Sequence, residues 1–291
     1  MKVSTTKFTV ITVNYNSEKY LFKLIRSLSY IKNLIDCIIV VDNNSMLQRN
    51  LNRLKNHSNL KLILNNKNLG FSKAVNQAIH VAKSEYILLL NPDCFLTDNS
   101  IVNIFNRIKQ RNNIGAIGGK IIDPNTNLRS YTANSKPSFL TGIFEFTNLK
   151  KVFPKNIFSK NFWIENSHIS QSPIAVNSIC GAFMLFRRKI NNKLNLFDED
   201  YFLYLEDIQF GQNINNAGKL VMFDPSSKIS HYGGKSNDSK YGTVLKHWYK
   251  SRKIFFSKNL KRPYSDLLYI IFSIEEILLK IYHKATSTPN E

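Results

Sequence analysis

The chain reads as an α/β protein built on a central sheet, and three observations predict it. Apolar, β-branched runs alternate with segments of helical periodicity through the first half. Several of these runs stop at an Asn or Asp, as strands do when their carboxyl ends face a ligand crevice. With 291 residues and 43% hydrophobic content, the chain can fill one large α/β domain with an appendage, or two small domains.

Phe8 to Val13 is apolar and ends at Asn14-Tyr15-Asn16-Ser17, a turn and helix N-cap signal, after which Leu21, Leu24, Ile25 and Leu28 recur at helical spacing. Cys37 to Val41 predicts a second buried strand, ending at Asp42-Asn43-Asn44-Ser45, and Leu60 to Leu64 a third. Ala74 to Ala82 predicts a helix leading into the strand Tyr86 to Leu90, which ends at Asn91-Pro92-Asp93. The alternation implies a parallel sheet. Ile101 to Lys109 reads as a helix and Ile114 to Ile122 as a strand interrupted by Gly115, Gly118 and Gly119. Tyr131 to Gln171, with Pro137 and Pro154, reads as an irregular stretch suited to covering a substrate. Val176 to Phe186 is strand-like around Gly181, Asp207 to Ala217 helical, and Leu220 to Phe223 a strand ending at Asp224-Pro225. His231 opens a Gly-rich loop that runs through Ser236. Beyond Tyr241 the composition turns basic and aromatic, which divides the chain into a main domain over 1–240 and a helical region over 241–291.

Forty Lys and Arg against twenty Asp and Glu give a net charge of +20, which suits nucleic acid, an anionic membrane surface or a phosphorylated substrate. The basic residues are spread along the chain and densest from Lys246 to Arg262. Cys37, Cys94 and Cys180 lie in or beside apolar runs without the spacing of a metal knuckle or redox pair, and read as buried thiols in a reducing compartment. Met1 to Lys7 lacks the apolar stretch of a signal peptide, so a cytoplasmic location is expected. Leu267 to Tyr282 is short for a span and carries Glu275, Glu276 and Lys280.

The acids carry the chemistry. Glu206 and Asp207 stand side by side behind an aromatic run, and with Asp42 and Asp93 at strand ends they suggest a nucleotide- and metal-dependent transferase whose general base is one of the adjacent pair. The plainer alternative is that the pair caps a helix. Asp42 is placed to accept from a base N–H or a ribose hydroxyl, or else forms an Asx turn. Asp93 is a hard oxygen ligand for a cation that also holds diphosphate oxygens, or part of a Pro-Asp turn. His231 would complete such a site and tilt it towards Mn²⁺ over Mg²⁺. Gly70-Phe71 marks a tight loop where backbone approaches a ligand. No GxGxxG fingerprint or GxxxxGK loop is present, which argues against dehydrogenases and P-loop NTPases.

The ordered motifs Val10 to Ser17, Val40 to Ser45, Asn68-Leu69-Gly70-Phe71, Leu90-Asn91-Pro92-Asp93, Gly181 to Met184, Phe197-Asp198-Glu199, Tyr204-Leu205-Glu206-Asp207 and His231 to Ser236 resemble family 2 glycosyltransferases. The similarity spans about Phe8 to Lys258 and is strongest to the rhamnosyltransferase-like branch. It implies a GT-A fold, with a central mixed sheet flanked by helices and a C-terminal helical tail. It further implies inverting transfer from a nucleotide sugar, with dTDP-rhamnose favoured over a UDP-sugar, to a lipid-linked saccharide acceptor in O-antigen, capsule or other surface polysaccharide assembly. In that pattern Asp207 is the base with Glu206 beside it, and Asn14, Asp42, Asn43, Gly70, Phe71 and Asn91 hold the donor. Asp93 and His231 hold Mg²⁺ or Mn²⁺. The sequence departs from the pattern at Ser45-Met46-Leu47-Gln48 and at Gln209, where the family carries further acids.

A nucleic-acid-binding alternative rests on the charge and on Lys246-His247-Trp248-Tyr249-Lys250-Ser251-Arg252-Lys253, but leaves the strand-end acids unexplained. In the tail, Leu267, Ile271, Ile274, Leu278 and Ile281 form an apolar stripe at helical spacing. It is expected to lie peripherally on the cytoplasmic face of an inner membrane, or to pack on the main domain or on a homodimer partner.

Overall fold

A computed structural model of the chain describes residues 6–126, 132–164, 172–233 and 241–286. Strand β1 (Phe8–Asn14) is flanked in parallel by β2 (Ile35–Asp42) and β4 (Tyr86–Leu90), and β3 (Leu60–Leu64) continues beyond β2. Every residue of β1 and β4 is buried, as strands covered on both faces must be. Helices α1 (Glu18–Ser27) and α3 (Ile101–Gln110) cover one face, packing Leu21, Leu24, Ile104 and Phe105 on Val10, Val40 and Leu88. Helices α2 (Phe71–Val81) and α7 (Glu206–Asn216) cover the other, packing Val75, Ile79, Phe210 and Ile214 on Ile11, Val41 and Leu89. The period-2 alternation within each strand separates the two cores.

The sheet is mixed, not parallel throughout. Its order is β3-β2-β1-β4-β10-β6-β13-β5, where β5 is Cys94–Phe95, with β8 (Ile174–Val176) also on β13. Strand β10 (Phe183–Arg187) runs antiparallel to both β4 and β6 (Ile114–Ile122), while β6 and β13 (Leu220–His231) are parallel. Three local expectations also change. The glycines of β6 do not interrupt it, because neighbouring chains approach too closely for a side chain; a Cβ on Gly119 would stand 2.3 Å from the Ser227 carbonyl oxygen. Strand β13 does not end at Asp224-Pro225 but shifts register between Phe223 and Lys228, with buried Asp224 paired to Arg107 Nε at 2.7 Å. Finally, within the stretch expected to be irregular lie β7 (Ala133–Asn134) and the short helices α4 (Phe139–Phe144), α5 (Leu149–Val152) and α6 (Ile157–Phe162). Ser138 and Asn156 cap α4 and α6 by accepting from Thr141 N and Ser159 N. Strand β7 pairs with β9 (Ser178–Ile179), and β11 (Lys189–Ile190) with β12 (Lys193–Leu194).

Helices α8 (Tyr241–Asn259) and α9 (Tyr264–Thr286) build a third core with this helical insert, in which Phe255, Phe256, Leu268 and Phe272 meet Phe146, Phe162, Tyr201, Leu205 and Ile208. Arg252, 1% exposed, joins the parts: it donates to the Phe146 and Phe272 carbonyls and pairs with Glu275. The outer face of α9 carries Leu267, Ile270, Ile274, Ile277, Leu278 and Ile281, all exposed. No helix among the described residues is long and apolar enough to cross a membrane.

Candidate active site

Strand ends β1, β2 and β4 open on one crevice, and the polar residues there divide into a frame and a chemical centre. The frame is Asn14, Asp42 and Asn43, each 3% exposed or less. Asn14 Nδ2 donates to Asp42 Oδ1 (2.7 Å) and Ser45 Oγ (3.0 Å), while Ser45 donates to Asp42 through Oγ (2.6 Å) and its amide (3.0 Å). Both Asp42 oxygens therefore accept from within the protein, and its carboxylate is not presented to the crevice as the sequence reading expects. Asn43 takes the Leu69 amide (3.0 Å) on its Oδ1 and gives its Nδ2 to the Gly70 carbonyl (3.2 Å), so it shapes the 68–70 loop. Gly70 has φ +85°, and a Cβ there would lie 2.7 Å from the Phe202 carbonyl oxygen, which also accepts from Phe71 N (2.7 Å). That contact ties the loop to the segment bearing the acid pair. Asn91 closes the turn after β4 through the Cys94 amide (3.1 Å).

Asp93 lies in the turn between β4 and β5 (Cys94–Phe95), and the pairing of β5 with β13 sets Cys94 opposite His231. Asp93 Oδ1 and His231 Nε2 are 3.0 Å apart. The Cys94 thiol shares the cluster but donates to the Ala182 carbonyl (3.3 Å), and burial holds it protonated, well above the usual thiol range. A hard carboxylate beside one imidazole suits Mg²⁺ or Mn²⁺ completed by phosphate oxygens and water. Gly234 to Ser236 of the Gly-rich motif lie outside the described residues.

Glu206 and Asp207 are the first residues of α7, so the plain reading of helix-terminal acids is correct as to position. Their surroundings add more. Tyr204 and Leu205 before them both have left-handed backbone, φ +72° and +66°, which costs of order 1–3 kcal/mol per residue and concentrates at functional sites. Asp207 Oδ2 accepts the Gly181 amide (3.0 Å) and Oδ1 the Ile208 amide (2.8 Å). Burial nonetheless raises its carboxyl above the ordinary value. Burial, then the charge of Asp207, pushes Glu206 up to about 8, and its Oε2 is buried without a partner. The Cys180 thiol, pushed up to about 12 by burial, also feels Asp207, Glu206 and Asp93, so the acid pair and the Asp93–His231 corner share one crevice. Gln209, in place of the family's acid, is buried and bonded to Tyr201 OH (3.1 Å), Asn213 (2.8 Å) and Asn259 (2.7 Å); it anchors α8 to α7.

A cavity of about 200 Å³ adjoins the acid pair, lined by Glu145, Phe146, Trp163, Tyr204, Glu206, Asp207 and Trp248 among others. The sequence reading missed Glu145 and Trp163, which sit in an aperiodic stretch. Of Trp248's neighbours in that cluster, Tyr249 is buried, Arg252 is clamped as above and Lys253 pairs with Glu276 (2.7 Å), while Lys246 and Lys250 are exposed.

A mixed, helix-covered sheet with an acid-lined crevice at its strand ends is the GT-A architecture of nucleotide-sugar transferases. The chain belongs to glycosyl transferase family 2, whose model matches residues 9–194, more than half of its length. It is similar to the N-acetylglucosaminyl-diphospho-decaprenol L-rhamnosyltransferase of Mycobacterium tuberculosis, 25% identical over 259 residues, covering 85% of this chain and 83% of that one. It is also similar to rhamnosyltransferase WbbL of Escherichia coli, 23% identical over 274 residues, covering 87% and 96%. Among solved structures, GalNAc-T7 with UDP, GalNAc and Mn²⁺ superposes with a TM-score of 0.62 at 15% identity, over 96% of this chain and 58% of that chain. That likeness shows the fold.

Proposed function

We propose that the protein transfers L-rhamnose from dTDP-rhamnose, with inversion, onto a lipid-linked saccharide during surface polysaccharide assembly. The observation that carries the reaction type is Asp207, a half-buried carboxylate held by two backbone amides at a helix N-terminus, yet raised in basicity by burial. The similarity to two rhamnosyltransferases supports the donor sugar, and the name of the mycobacterial relative supports a diphospho-lipid acceptor.

Asp207 takes the proton of the acceptor hydroxyl as that oxygen attacks the anomeric carbon and the nucleoside diphosphate leaves from the opposite face. One displacement inverts the centre and requires no enzyme nucleophile. Glu206, pushed up to about 8 by burial and the charge of Asp207, favours a single negative charge shared by the pair at neutral pH. A divalent cation held by Asp93 and His231 would neutralise charge on the leaving diphosphate. The Asn14–Asp42–Ser45 network and Asn43 set the platform and the Gly70-Phe71 loop against which the nucleotide lies. The exposed apolar face of α9, with the chain's net positive charge, supports peripheral attachment to an anionic membrane surface.

A nucleotide-sugar panel tests the reading: dTDP-rhamnose with Mn²⁺ is expected to raise Tm and to be consumed when an N-acetylglucosaminyl-diphospho-lipid is added. Stabilisation and turnover with a UDP-sugar alone would overturn the donor assignment and leave the family.

A further inference from the structure

We infer that the cavity beside Asp207 seats one neutral pyranose ring of the acceptor, and that Glu145 reads the hydroxyls of that ring. The inference rests on the transferase reading for what brings the ring there, but its physical basis is local. Glu145 and Glu206 are 7% and 8% exposed, and each has one carboxyl oxygen, Oε2, with no hydrogen-bond partner. Buried polar atoms without partners are rare and costly, so two on the wall of one cavity mark a place where donors arrive from outside the fold. The other oxygen of Glu145 is held in place by Trp163 Nε1 (2.7 Å) and by Lys150, which fixes the carboxylate.

The walls define the class of ligand. Trp248 stacks on Phe146 with centroids 5.8 Å apart and an interplanar angle of 10°, and Tyr204 meets it edge-on at 5.9 Å; Trp163 lies against Phe162 at 4.8 Å. Half-buried indoles offer apolar faces to the C–H surface of a sugar ring, while carboxylates accept from its hydroxyls. The negative charge of the acid pair and the absence of an unpaired Lys or Arg from this lining disfavour a phosphate. Thus the acceptor's sugar ring, and not its diphosphate, belongs here. At about 200 Å³ the cavity is smaller than the roughly 300–1,000 Å³ of drug-sized ligand sites and suits a single ring.

The chain has two tryptophans, and both line this cavity, so its occupancy is readable by intrinsic fluorescence. The full-length protein is titrated with the methyl glycosides of N-acetylglucosamine, glucose and galactose. At least one is expected to shift tryptophan emission saturably. Glu145→Gln is expected to weaken that binding tenfold or more and to raise the acceptor KM with kcat and nucleotide-induced stabilisation unchanged. Emission silent to all three glycosides in a protein that transfers sugar overturns the inference, as does parental binding by Glu145→Gln. Glu145-dependent binding in a protein that turns over no nucleotide sugar keeps the site and removes the transferase reading instead.

Discussion

Replacing Glu206 by Gln isolates the electrostatics of the acid pair. In the folded chain, burial and then the charge of Asp207 raise the Glu206 carboxyl from 4.5 to about 8. Between those values the native state keeps a proton that the unfolded chain has released, so stability falls as pH rises. The contribution is complete below about 4.5 and lost above about 8. One proton of difference corresponds to a slope of about 1.4 kcal/mol per pH unit. Gln presents a similar shape and does not titrate. Urea unfolding of parent and variant from pH 5 to 9 should therefore show the variant gaining on the parent by on the order of 3 kcal/mol up to pH 8, then no further. In an Asp207→Asn background the second cause is gone, and the parent's midpoint should move down. A stability difference that stays constant from pH 5 to 9 would refute the claim that Glu206 is buried as a neutral acid.

The remaining expectations concern the site and the surface. Asp207→Asn preserves shape but cannot take a proton, so kcat should fall roughly 10²–10⁴-fold with donor-induced stabilisation intact; normal turnover removes Asp207 as the base. Asp93→Asn should impair both metal-dependent donor binding and turnover, with partial rescue by excess Mn²⁺, read by thermal shift across a Mn²⁺ series. Gly70→Ala forces a Cβ against the Phe202 carbonyl at a positive φ and should cost more than about 1 kcal/mol in chemical denaturation, while an exposed loop would tolerate it. Ile274→Glu with Leu278→Glu should abolish co-sedimentation with anionic liposomes without lowering Tm, since both side chains are exposed; unchanged sedimentation places attachment elsewhere.

Strands and the sheet-facing helices were legible because buried runs such as Tyr86 to Leu90 and amphipathic ones such as Ile101 to Gln110 carry their period in the sequence. The antiparallel insertion of β10 was not, since a fully apolar strand reads the same in either direction; only the family resemblance implied a mixed sheet. The strand-end acids announced themselves by position, but position does not show that Asp42 turns inward to Asn14 and Ser45 while Asp93 meets His231. The helical insert was concealed by its brevity: helices of four to six residues carry too little periodicity, and only the caps Ser138 and Asn156 hint at them. Glu145 became meaningful only once tertiary packing set it beside Trp163.

The Arg252 clamp has a consequence for how such a protein diversifies. In the proposed reaction the donor-side groups hang from the ends of the first strands, whereas the acceptor-side wall is shared by the helical insert and α8, locked to α9 through one buried guanidinium. Helix α8 also grips the 202–205 turn through Ser251 and stacks His247 on Phe202 at 4.1 Å. On the proposed reaction the two halves of specificity lie on different pieces of chain that meet around the acid pair, the turn before it and Gln209 after it. In that scheme, exchange of insert and C-terminal helices together, as one block, would redirect the choice of acceptor while the donor stays fixed; exchange of either alone would break the Arg252–Phe146 and Glu275–Asn148 contacts that lock the two together.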